Sequence, residues 1–230
     1  MREILRRGKI LAVVMLASWS SAQSPSQLSH GSSDLTIAIY DYARVPGKLL
    51  ASAEREASRI FRHAGVKVVW LDCPTEPEVQ SDAGCQPLLD HTYVVMRILP
   101  RNLSAHLRYH QDTFGISEVY SDRIGSLSYV FYDRVEEQTQ NLDLRAVLVG
   151  HLMAHELGHL LLGPTSHSRT GIMCAVWRPE DLRNAAQGVL LFTPEQSKLL
   201  RAKLVVSNGR DIAFLRSVRG ALASPRDSAP

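Results

Sequence analysis

The stretch "HELGHLLLGPTSHSRTGIM", residues 155–173, holds three histidines, a glutamate between two of them and a methionine beyond the last. On an α-helix His155 and His159 share one face, ~6 Å apart along the axis, so both imidazoles can reach a single zinc ion. Glu156 lies ~100° further round, close enough to contact a water on that ion but poorly placed to join the histidines as a ligand. This is the pattern H-E-x-x-H, in which the glutamate serves as general base. A zinc ion that activates water takes three protein ligands and keeps one position open. His167 is the best third ligand, because a helix ending at Gly163 lets the chain reverse just before it. Met173 follows, placed for a tight turn beneath the metal. The competing third ligand is Glu180, which a short helix opening at Pro179 would present; imidazole suits zinc, and His167 comes with Met173, so His167 is preferred.

The element that must carry these residues is "DLRAVLVGHLMAHELGHLLL", residues 143–162. It is apolar nearly all round, which marks a buried helix, and buried histidine and glutamate are costly without a partner or a metal. Gly163 is expected as a left-handed C-cap and Pro164 as a stop. His151 extends the histidine ladder, but ~12 Å of axial rise separates it from His159, too far for one zinc ion. It is expected to be a hydrogen-bonded core residue near the site.

Upstream, "LTIAIYDY" (35–42) alternates like a strand, and Pro46 opens a stretch to about His63 with Leu49, Leu50, Ala53, Ala57, Ile60 and Phe61 at helical spacing. Residues 66–71 and 92–99 are further strand candidates. A helix between the first two strands implies a crossover and hence a parallel pair. Residues 100–123 show no clear period and read as loop-rich, whereas "SLSYVFYDRV" (126–135) reads as a strand, placed at an edge. A last helix is expected over 193–204, with Thr193 as N-cap and Pro194 at the first helical position.

The chain has 230 residues, enough for one domain with tails. Residues 1–22 read as a secretory signal: Arg2, Arg6, Arg7 and Lys9, an apolar run from Ile10 to Ala17, then Ser20-Ser21-Ala22 as cleavage site. That run falls short of the ~20 residues a membrane-spanning helix needs. The protein is therefore expected to be secreted or periplasmic, with a Ser-rich linker over 23–34 and a frayed tail over 206–230. Losing the signal removes those four basic residues and Glu3, taking the formal charge from +3 to zero. A neutral mature chain with no Lys/Arg cluster argues against nucleic acid or anionic membrane as partner. In an oxidising compartment Cys73 and Cys85, which flank "CPTEPEVQSDAGC", are expected to form a disulfide, leaving Cys174 as a buried free thiol.

His155-Glu156-x-x-His159, then Gly163, His167-Ser168 and Gly171-Ile172-Met173, resemble the active site of the metzincin zinc peptidases, whose consensus is H-E-x-x-H-x-x-G-x-x-H followed by a Met-turn. Here Gly163 comes one residue late and His167 two, a difference a loop absorbs at modest cost. The resemblance implies an α/β, zincin-like fold: a mixed twisted sheet, a backing helix, an active-site helix, a Met-turn and a C-terminal helix. It would span residues 35–205, with an upper part over 35–163 and a lower part over 164–205. It further implies one catalytic zinc on His155, His159 and His167, hydrolysis of peptide bonds with Glu156 as base, and Met173 as an apolar floor. A peptide or protein substrate would lie extended against an edge strand, for which Ser126 to Tyr132 is the candidate. Some metzincins carry a tyrosine two residues after the methionine; Ala175 stands there, so the oxyanion partner is unassigned. The short span before the first strand leaves little room for a pro-domain. Two other readings stay open: a thermolysin-like zincin with Glu180 as third ligand, and a secreted zinc-binding module that does not cleave, against which the intact Glu156 argues.

Overall fold

The computed structural model describes residues 34–76, 85, 92–107, 109–110, 112–119 and 126–207. The proposed signal and linker up to residue 33, and the tail beyond 207, lie outside the described residues.

Strand β1 (Asp34–Asp41) leads into helix α1 (Gly47–His63), which returns the chain to β2 (Lys67–Cys73). The apolar residues at helical spacing on α1 bury as the pattern demands: Leu49, Ala53, Ala57, Ile60 and Phe61 all face the core. Gly65, at φ +77°, makes the turn from α1 into β2, a backbone conformation that side chains disfavour. As the crossover requires, β1 and β2 run parallel, with Leu35 beside Val68 and Tyr40 beside Cys73. Strand β3 (Tyr93–Leu99) flanks β1 on its other side, also parallel.

The next region departs from expectation. Residues read as loop contain a short helix α2 (Arg101–Ser104) and a strand β4 (Gly115–Glu118). Strand β5 (Leu127–Phe131) then ends early, because the chain turns into helix α3 (Tyr132–Gln138) where a continuing strand was expected. The sheet order is β2-β1-β3-β5-β4, with β4 antiparallel to β5 and the other pairs parallel. The segment Ser126 to Tyr132 is therefore not at the edge: β5 is enclosed between β3 and β4, and Tyr132 already belongs to α3. A strand of four residues such as β4 offers too little alternation to be recognised in the sequence.

Helix α4 (Leu142–Leu162) covers one face of the sheet. Asn141 caps it, its side-chain oxygen accepting from the backbone N–H groups of Asp143 and Leu144 at 3.0 Å each. From Arg145 to Leu161 nearly every residue is buried, as an all-round apolar helix should be. Gly150 lets α1 approach closely: a Cβ there would stand 2.6 Å from the Ala53 carbonyl oxygen. The helix ends at Gly163 with φ +103° but ψ 173°, so the chain leaves in an extended glycine conformation, not the expected left-handed helical one. Helix α5 (Pro179–Ala186) follows, and a last helix, α6, covers 194–207. Thr193 caps α6 reciprocally with Gln196: Gln196 N–H donates to Thr193 Oγ1 and Thr193 N–H to Gln196 Oε1.

The period of two along the strands divides the sheet into two faces. Leu35, Ile37, Ile39, Val94, Met96, Ile98 and Val130 point to the helices and join the main core. Ala38 and Tyr93 point the other way, where they pack with Cys73 and Cys85. Those cysteines form the expected disulfide, with Cα atoms 5.7 Å apart, and Cys174 is the buried free thiol. No helix among the described residues is long and apolar enough to cross a membrane.

Candidate metal centre

Helix α4 presents His155 and His159 on successive turns, and the chain beyond Gly163 brings His167 back to them. The Nε2 atom of His159 stands 3.1 Å from Nε2 of His155 and 3.1 Å from Nε2 of His167. Among the described residues this is the group whose ligand atoms converge closely enough to hold a metal, all lying within 4.8 Å of one another. Two nitrogens bound tetrahedrally at 2.0–2.1 Å from one zinc ion would stand ~3.4 Å apart, close to these spacings.

The other ring nitrogens decide which face of each imidazole carries the lone pair. His155 Nδ1 donates to the Ile172 carbonyl at 2.7 Å, and His159 Nδ1 is 2.9 Å from Ser166 Oγ. The Ile172 carbonyl can only accept, so His155 carries its proton on Nδ1 and turns its Nε2 lone pair inward, and the Ser166 hydroxyl can accept from His159 Nδ1 in the same way. Lone pairs facing one another repel unless a cation lies between them, so the donor set fits a metal. Burial pushes the pKa of both His155 and His159 down to about 4 in the cation-free protein, which keeps them in the neutral form that ligates.

Met173 is fully buried beneath α4. Gly158, between the two helical histidines, makes room for it: a Cβ there would come within 2.6 Å of Met173 Sδ and 2.9 Å of Phe192 Cε1. The turn holding Met173 is tied from several sides. Gly171 adopts φ +80° against the Leu191 carbonyl, Ser168 N–H donates to Met173 O, and Ile172 N–H donates to Leu191 O. Gln196 of α6 donates through Nε2 to Ser168 Oγ at 3.0 Å, so the residue that caps α6 also steadies the neighbour of His167.

Glu156 is only 4% exposed, and its carboxyl faces β4. Ser117 Oγ lies 2.7 Å from Glu156 Oε2 and 2.8 Å from the Glu156 backbone oxygen. Burial pushes the Glu156 carboxyl up to about 7, against the opposing hydrogen bond from Ser117.

The remaining sequence candidates separate cleanly. Glu180 sits exposed in the first turn of α5 and is not part of the convergent donor group. His151 is fully buried; its Nδ1 donates to the Val147 carbonyl at 2.9 Å and lies 3.6 Å from Glu56 Oε1. Burial lowers its pKa, against the pull of Glu56. Residues that the sequence did not reveal are Ser117, Ser166 and Trp177, whose indole N–H donates to the same Ile172 carbonyl that holds His155. Only Ser166 carried a signal, its place beside His167; the others reach the site from distant parts of the chain.

No family model and no curated protein matches this sequence. Among solved structures it is similar to a zinc-dependent peptidase from Methanocorpusculum labreanum, at 16% identity over 71% of this chain and 99% of that chain, with a TM-score of 0.47. A likeness this slight carries no argument about function.

Proposed function

We propose that this chain is an exported zinc-dependent endopeptidase. The observation that carries the reading is the convergence of three imidazole Nε2 atoms, together with a buried glutamate at the residue after the first of them. His155, His159 and His167 would hold the ion, with the Ile172 carbonyl and Ser166 hydroxyl keeping the first two rings aimed. Bound there, zinc supplies a Lewis acid that acidifies water towards a pKa of ~7 and polarises a substrate carbonyl. Glu156 accepts the proton of the attacking water and passes it to the leaving amine as the peptide bond breaks. Burial favours proton uptake by Glu156, and a bound zinc ion would favour proton release, so the two act on it in opposite senses.

Among the described residues the sheet ends at β2 and at β4, and of these two edges β4 is the one that packs against α4. An extended peptide substrate would pair along β4, which takes the role first expected of Ser126 to Tyr132. Export is supported by the Cys73–Cys85 disulfide, which persists in oxidising compartments, and by the N-terminal signal pattern ending near Ala22.

Metal analysis of the purified protein by mass spectrometry tests the centre, with fluorescein-labelled casein as probe of cleavage. One zinc per chain is expected in wild type and in Glu180→Ala, and none in His167→Ala. Glu156→Ala should keep zinc and lose about 10²- to 10⁴-fold in rate. Zinc that survives His167→Ala but not Glu180→Ala would replace the third ligand, and full cleavage by Glu156→Ala would rule out Glu156 as the base.

A further inference from the structure

Beneath α4 the helix-facing side of the sheet carries large apolar residues such as Met96, Ile98 and Val130, and changes character where it meets Glu156. There Gly115 and Ser117 of β4 stand opposite Val130 and Ser128 of β5. Residues two apart on a strand share a face, so Gly115 and Ser117 both turn toward α4. A Cβ on Gly115 would come within 2.6 Å of Glu156 Oε1, 2.7 Å of its Cγ and 2.8 Å of its Cδ. The carboxyl of Glu156 thus occupies space left by a missing side chain, and the neighbouring Ser117 hydroxyl touches it at 2.7 Å.

Ser117 has one hydroxyl proton and two oxygen partners, both on the same residue: Glu156 Oε2 and the Glu156 backbone carbonyl at 2.8 Å. Held by these two contacts on one side and by the gap at Gly115 on the other, the carboxyl is fixed against β4 from both sides.

We propose that Ser117, on the same face of β4 as Gly115, is a positioning residue that holds the Glu156 carboxyl in one orientation, in the space that Gly115 leaves for it. This rests on the reading of Glu156 as the general base. A proton acceptor that must later become a donor to a different atom gains from being locked in place, since misplacement at either stage slows the reaction. The same strand would then carry substrate along its free edge and orient the base on its helix-facing side.

The test uses the full-length zinc-loaded protein, wild type beside Ser117→Ala and Ser117→Thr. Ser117→Ala is expected to keep one zinc per chain and to lower kcat on fluorescein-casein about 10- to 100-fold, the effect of losing a hydrogen bond to a charged group, with KM unchanged. Ser117→Thr, which retains the hydroxyl, should recover most of that loss. In crystals, the Glu156 carboxyl should leave its place against β4 in Ser117→Ala and keep it in Ser117→Thr. Wild-type kcat together with an unmoved Glu156 in Ser117→Ala overturns the proposal, as does a loss confined to KM. If zinc-loaded wild type leaves casein uncut, the peptidase reading fails, and the orientation of Glu156 in the crystals still decides the role of Ser117. Should Ser117→Ala not fold, Ser117→Cys, nearly the same size but a weak donor, takes its place in both measurements.

Discussion

Gly158 shows how a residue with no side chain shapes the centre. Its place between His155 and His159 on α4 was visible in the sequence, but its importance follows from Met173 and Phe192, which approach it from a separate segment. Gly158→Ala should cost about 1–3 kcal/mol by overpacking and lower zinc occupancy as the turn below is pushed away. Thermal unfolding and metal content measured together check this; a variant equal to wild type in both would mean that Met173 can withdraw freely. Glu54 gives a second prediction at this scale. Burial, with help from the nearby Asp72 carboxylate, pushes its pKa from 4.5 up to about 7. The folded protein therefore holds a proton that the unfolded chain has already released, so the contribution of Glu54 to stability falls as pH climbs from 4.5 through about 7. Glu54→Gln should accordingly melt above wild type near pH 8, with the difference shrinking towards pH 4. A gap independent of pH would assign the effect to packing.

Among the elements, α4 was legible almost to the residue, because its apolar surface and its glycine stop are local features, whereas the cap at Asn141 emerged only from the structure. Asn141→Ala removes the acceptor of two backbone N–H groups and should cost about 1 kcal/mol in urea unfolding. Zinc content should not change, since His155 and His159 lie several turns away; a loss of zinc would show that fraying at the cap reaches the centre. The crossover of β1, α1 and β2 was equally readable from helical and alternating periods. Strand β4 was not, and β5 was assigned to the wrong place in the sheet. Neither failure concerns local conformation alone. An edge and an enclosed strand can carry the same pattern of side chains, and four residues show almost none.

At the scale of the molecule, the sheet separates two tasks. Its helix-facing side supports α4 and the histidines, while the disulfide lies with Ala38 and Tyr93 on the opposite side. Replacing Cys73 and Cys85 together with serine should cost about 2–4 kcal/mol, through the freedom returned to the unfolded chain. Zinc binding under conditions where the variant remains folded should stay intact, and a centre that empties while the sheet persists would show that the two faces are coupled. By itself the sequence determined the spacing of His155, Glu156 and His159, the helix that carries them, the return of His167 and the pairing of Cys73 with Cys85. These depend on neighbours in the chain, or on one short loop, where helical pitch and chain reach leave few alternatives. Only the tertiary structure decided that β4 forms the edge, that Gly115 and Ser117 meet Glu156, and that the Ile172 carbonyl and Ser166 orient the histidines. Those contacts arise from strand register and helix packing across distant segments, which are selected by the burial of the whole core and leave no periodic mark on the residues concerned.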